Sequence, residues 1–171
     1  MEIRVNITKL DLFWMNSQAY ISSPGARNIA IYAWLAMAGV FFYKGGFNAS
    51  VDEILYRLTV FLGWAVLVYG FFYVLSTLAV LGSASKNYGQ LGDHTYEVTD
   101  TGFIESTDVN ETVTKWEGIY ELVKTKRYLY IKTAPLLVYV IPLRSFSTET
   151  EFNEFYSKVK GGYDNASAQA H

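Results

Sequence analysis

The stretch LTVFLGWAVLVYGFFYVLSTLAVLGSAS, residues 58–85, holds neither a charge nor a proline. At about 1.5 Å per residue, Leu58–Gly82 alone would measure roughly 37 Å as a helix, more than the ~30 Å hydrocarbon core of a bilayer. Buried helices of water-soluble proteins seldom sustain so long an uncharged run, so this stretch is expected to cross a membrane. Upstream, KGGFNASVDEILYR (residues 44–57) reads as a turn and a helix start, with Ser50 and Glu53 at capping-box spacing. The helix is therefore expected to begin near Val51 and to span over about 54–82. Asp52 and Glu53 are capping residues in this reading, because adjacent helical positions do not face the same way.

Further upstream, NIAIYAWLAMAGVFFY lies between Arg27 and Lys44. It covers about 24 Å as a helix, roughly one turn short of the hydrocarbon core. Mismatch costs only fractions of a kcal/mol per Å and Lys44 can snorkel, so residues 28–44 are read as a first span. Ala30, Ala33, Met37 and Val40 fall at helical spacing with Gly39 beside them, a smooth face suited to helix packing. Phe41, Phe42, Tyr43, Phe47 and Tyr56 suit an interfacial belt, and Trp34, Trp64 and the group from Gly70 to Tyr73 sit deeper, facing lipid or the neighbouring helix.

Two spans put both termini on one side. Arg4, Lys9, Arg27 and Lys86 flank that side against Lys44 and Arg57 on the other, so cytoplasmic termini are expected. Charged and polar residues fill most of the ground before Asn28, which does not read as a cleavable signal peptide. Residues 1–27 read as a strand and a short helix. Ile3, Val5 and Ile7 alternate, Thr8 and Asp11 have capping-box spacing, and Leu10, Phe13, Trp14 and Ser17 share one face of the helix that follows. This element is expected to pack on the later domain or lie on lipid, although the second choice lacks a basic face.

Downstream, NYGQLGD is a glycine-bearing linker, and from His94 the period becomes two. Five strands are expected, in HTYEVT, GFIESTDV, TVTKWEGIYELVKT, RYLYIKT and LLVYVIPL, with turns at Asp100-Thr101-Gly102 and Thr133-Ala134-Pro135. Pro142 ends the last strand, and Thr148 and Glu151 begin a helix whose Phe152, Phe155, Tyr156 and Val159 cover the sheet. The expected class is therefore an α+β membrane protein, a transmembrane hairpin (28–85) followed by a small antiparallel sheet domain with a C-terminal amphipathic helix (86–160). Residues 161–171, GGYDNASAQAH, read as a disordered tail.

The run GFIESTDVNETVTKWEGIYELVKTKRYLYIKT followed by YVIPLRSFSTETEFNEFYSKV resembles the YcxB-like family of bacterial membrane proteins. The resemblance is carried by Gly102 and its strand, by Trp116 leading through Ile119 to Tyr128–Ile131, and by the Ile141-Pro142…Phe146 corner. Leu143-Arg144 departs from it, since a cation is expected directly after the proline. The resemblance implies paired apolar segments, a pleckstrin-homology-like sheet domain and a bacterial inner membrane, and no settled activity.

Chemistry-bearing residues are sparse. The chain has 171 residues with net charge −2, and mixed signs without a basic stripe make nucleic acid an unexpected partner. It has no cysteine and two histidines, His94 and His171, too little for thiolate or His-based catalysis or for a metal cluster, so neither an enzyme nor a cofactor or metal is expected. His94 is assigned to the surface or a strand entry. Lys124, Lys126, Arg127 and Lys132 form the densest cationic group, a candidate face for a partner or a lipid headgroup, with Glu117 and Glu121 interleaved. Trp116, Pro142 and Phe146 are assigned structural roles. The expected function is non-enzymatic: a membrane protein whose cytoplasmic domain binds a protein partner or senses membrane lipid. Two alternatives are an immunity protein against a membrane-targeting bacterial toxin and a transport or channel accessory built by homo-oligomers of the hairpin.

Overall fold

The computed structural model describes residues 1–45, 48–86, 89–134 and 137–169. Phe47 of the aromatic belt, Asn87 and Tyr88 of the linker, Pro135 of the second turn and His171 lie outside the described residues. The chain is α+β, with a helical part followed by antiparallel sheets and a closing helix. It divides into two compact units, Met1–Met15 with Leu81–His171, and Asn16–Val80.

The helices come first. Helix α1 (Lys9–Ser22) is followed after one residue by α2 (Pro24–Tyr43), and α3 covers Val51–Ala84. Ser23 caps α2, its Oγ accepting from Ala26 N at 3.3 Å. Pro24 fills the first helical position, where its missing N–H costs nothing, so the helix starts four residues before Asn28. Ser50 Oγ accepts from Glu53 N at the start of α3, while the Glu53 carboxylate turns to Arg57, leaving the capping box half made. Both α2 and α3 are long and apolar enough to cross a membrane. Trp34 ties them, its Nε1 donating to the Leu58 carbonyl at 3.1 Å.

Among the described residues seven strands form two sheets. The first has the order β1 (Glu2–Ile7), β2 (Gly92–Val98), β3 (Gly102–Thr107), β4 (Glu111–Lys115), and the second β5 (Glu121–Lys124), β6 (Tyr128–Ala134), β7 (Leu137–Pro142). All pairings are antiparallel. β1 pairs with β2 from Glu2↔Glu97 to Ile7↔Gly92, so the first strand of the chain is an edge of the sheet otherwise made by the C-terminal part.

Among the described residues six strands follow α3 where five were expected. TVTKWEGIYELVKT is not one strand, because a 3-10 turn at Trp116–Gly118 separates β4 from β5 and sends them into different sheets. Trp116 fixes that corner, buried with its Nε1 donating to Asp100 O at 3.2 Å. At Gly102 the backbone of β4 lies so close that any Cβ would collide with the Thr114 carbonyl.

Val5, Tyr96, Phe103, Leu129, Ile131 and Ile141 form the sheets' core together with Phe152, Phe155 and Val159 of α4 (Glu149–Gln169), and none is more than 2% exposed. Phe146 packs edge-on against Phe152 and Phe155, at 5.2 and 5.5 Å between ring centres. Thr148 Oγ1 accepts from Glu151 N, and the Glu151 carboxylate accepts from Ser147 N, a capping box displaced by one residue. The tail expected from Gly161 is instead helical through Gln169. Gly162 packs directly on the Trp116 indole, where a Cβ would overlap the ring, and Ala166 is buried one turn further on. These contacts carry the helix past two glycines that weaken it locally.

Candidate functional site

The most densely bonded side chain is Asp11, in the first turn of α1. Its carboxylate is fully buried. Thr8, the residue before α1, donates to Oδ2 from its backbone N at 2.8 Å and from its hydroxyl at 2.7 Å, and Asp11 N approaches Thr8 Oγ1 at 3.4 Å. This is a capping box with aspartate in place of glutamate. Arg144 closes on the other side, Nη1 donating to Oδ1 at 2.5 Å and Nη2 to Oδ2 at 2.6 Å, and Nη2 also donates to Asn6 O at 3.0 Å. The Tyr128 hydroxyl donates to Oδ1 at 3.1 Å.

The local backbone delivers Arg144 to this place. Pro142 ends β7, the 3-10 turn Leu143–Ser145 follows, and Leu143 N donates to Arg127 O at 2.8 Å. Burial pushes the Asp11 pKa up, but the Arg144 and Thr8 hydrogen bonds and the guanidinium charge outweigh it and hold the group below its ordinary value of 3.8. The bonds to Asp11 push Arg144 further up. Burial and then the negative charge of Asp11 raise the Tyr128 phenol, and burial does the same for Tyr130, which stacks on Tyr128 at 5.6 Å. A carboxylate so fully engaged is poorly placed to take a proton from a substrate or to bind a metal. It acts as a clasp from the start of α1 to β6 and the turn after β7.

The four sequence-assigned cations do not share one face. In the β5–β6 pair, Glu121 faces Lys132 and Lys124 faces Leu129, so the alternation of side chains puts Lys124 and Lys132 on opposite sides. Lys132 Nζ bonds the Glu121 carboxylate at 2.6 Å. Lys124 Nζ donates to Asn153 Oδ1 at 2.6 Å and lies 4.4 Å from the Tyr156 ring centre. Lys126 and Arg127 are exposed in the turn between β5 and β6, and Thr125 Oγ1 fixes that turn by accepting from the backbone N of Arg127 and of Tyr128. Among the described residues, neither Lys126 nor Arg127 makes a side-chain hydrogen bond or salt bridge, and the Arg127 charge acts on the neighbouring Tyr128.

His94 is not at the surface. It lies on the inward face of β2, 4% exposed, its Nδ1 2.9 Å from Glu105 Oε1, which also accepts from the Tyr96 hydroxyl at 3.3 Å. Its Nε2 has no hydrogen-bond partner among the described residues. The pairing of His94 with Val5 and Thr107 across the sheet explains the burial. Among the described residues no group of three or more His, Asp or Glu is arranged to hold a metal ion.

Two apolar helices of membrane-crossing length, two antiparallel sheets and a closing helix define the class of this α+β protein. Residues 98–159, from the end of β2 into α4, match the family model described as YcxB-like protein. The match leaves β1 and the three preceding helices outside. No curated protein and no solved structure matches the chain.

Proposed function

We propose that this is a non-enzymatic integral membrane protein of the bacterial inner membrane. It crosses the bilayer twice with both termini cytoplasmic, and its sheet unit is a pleckstrin-homology-like binding module. A four-stranded sheet, a three-stranded sheet and a closing helix, in that order along the chain, support the pleckstrin-like reading. The length and apolarity of α2 and α3 support the membrane reading, and neither carries a charge between Leu58 and Ala84 or between Asn28 and Tyr43.

The observation that carries the binding role is the β5–β6 turn, which presents Lys126 and Arg127 on a backbone fixed by Thr125. Exposed cations held on a rigid turn suit an anionic lipid headgroup. The test is the lipid retained by purified full-length protein, measured by mass spectrometry as the ratio of phosphatidylglycerol to phosphatidylethanolamine. The K126A/R127A double variant is expected to lower that ratio at least twofold. An unchanged ratio would remove the headgroup and turn the search to a protein partner at the same turn.

A further inference from the structure

The second half of α1 packs along the second half of α3, and the contact between them joins side-chain hydrogen bonds to tyrosine ring contacts, Tyr20 lying 5.0 Å from Tyr69 and 5.4 Å from Tyr73 between ring centres. Asn16 Nδ2 donates to Thr77 Oγ1 at 3.0 Å, and Ser76 Oγ donates to Asn16 Oδ1 at 2.9 Å. Ser17 Oγ and the Tyr73 hydroxyl share a hydrogen bond of 2.7 Å, and the Tyr20 hydroxyl donates to Tyr69 O at 3.0 Å. Asn16 and Ser17 are each only 7% exposed. Over the same length most outward side chains are apolar: Ile21 is 69% exposed, Phe71 60%, Val74 52% and Leu78 62%, with Phe72 and Leu75 also exposed, while the outward polar pair Gln18 and Ser22 bond each other, Gln18 Nε2 donating to Ser22 Oγ at 3.1 Å.

A helix pair in water does the reverse, burying its apolar stripe and exposing its polar one. Polar side chains turned toward each other with large apolar ones turned outward suit hydrocarbon, where an unpaired polar group costs most and apolar surface costs nothing. The contacts also have an order. Asn16 meets residues 76 and 77, Tyr20 meets 69, and Trp34 meets 58, so α1 and α2 run in succession antiparallel to α3. Alone, the 20 residues of α2 measure roughly 30 Å against roughly 51 Å for the 34 of α3. With α1 added, the two sides match in length. The break between them leaves few loose backbone groups, since Ser23 N donates to Tyr20 O and Ser23 Oγ caps α2.

We propose that residues 16–22 of α1 lie in the hydrocarbon beside residues 69–80 of α3, so that the first membrane segment is a broken helix running from α1 into α2. The inference rests on the membrane reading above and adds a third helix to it. One charge opposes it. Arg27, exposed in the first turn of α2, is the only ionised side chain in residues 12–43, and its long stem lets the guanidinium reach toward water. Six large apolar side chains at the level of the α1–α3 contact outweigh that one snorkelling cation.

The chain has no cysteine, so single cysteines can carry a spin label without background. The experiment places labels at Ile21→Cys and Leu78→Cys, with Leu67→Cys as a mid-α3 control and Asp108→Cys as an aqueous control. Full-length protein is reconstituted in vesicles of phosphatidylethanolamine and phosphatidylglycerol. Collisions with dissolved oxygen and with a water-soluble nickel chelate are then compared by power saturation. At positions 21 and 78 oxygen is expected to dominate, as at 67, with the nickel chelate dominant at 108. Nickel dominance at 21 or 78 would place that segment in water, and low collision with both probes would mean a protein surface covers it. Either result overturns the inference. Nickel dominance at 67 as well would bring down the membrane reading itself, whereas oxygen dominance at 67 would confine the failure to α1.

Discussion

At Asp11 five hydrogen bonds from three residues converge on one buried carboxylate. Arg144→Ala would leave that charge buried without its ionic partner. Removing one partner of a buried pair costs several kcal/mol, but Arg144 is half exposed, so about 2 kcal/mol is the expected loss. The midpoint of thermal unfolding of the full-length protein should fall accordingly, and Arg144→Lys should fall between, since lysine keeps the charge and loses the bidentate geometry. The sign with pH follows from the lowered folded-state pKa. The stabilising contribution of Asp11 is complete above its unfolded value of 3.8 and is lost as pH falls through the lower folded value. A wild-type stability curve should therefore bend down below about pH 4, and Asp11→Asn should flatten that part of it. Adjacent glycines separate local propensity from packing. Gly161 faces open space, so Gly161→Ala should stabilise α4 by up to about 1 kcal/mol, whereas Gly162→Leu must displace the Trp116 ring and should lower the unfolding midpoint.

At the scale of elements, what the sequence revealed was local. The uncharged run from Leu58 announced α3, and the spacing of Phe152, Phe155 and Val159 announced the buried face of α4. What it hid was long-range. β1 reads as a strand from its alternation, but its partner β2 lies more than 80 residues away, and nothing in EIRVNI specifies that pairing. The Thr8–Asp11 box was visible, yet Arg144 and Tyr128 reach it only through the fold. Alternation runs unbroken through Trp116, and only the 3-10 turn at Trp116–Gly118, with β4 and β5 in different sheets, reveals a corner there rather than a strand centre. The four cations looked like one group because sequence proximity does not record which side of a strand each occupies. β1 also yields a prediction. Deleting residues 1–7 should expose the edge of β2 and make the sheet unit protease-sensitive, although the family match begins only at residue 98. Limited proteolysis of membranes carrying the two forms would show it, and equal resistance would mean that β1 is dispensable.

For the whole molecule, the sheet unit takes its strands from both ends of the chain, and the helices lie between β1 and β2 in sequence. Both ends of the long helical insert therefore connect to strands of one sheet. Tags at either terminus should accordingly be shielded from external protease in intact cells. The central claim is that the helical insert is embedded in a bilayer, and alkaline carbonate extraction of membranes from expressing cells tests it most directly. The account predicts that the full-length protein stays with the membrane pellet and is released only by detergent. Its recovery in the carbonate supernatant would contradict the account.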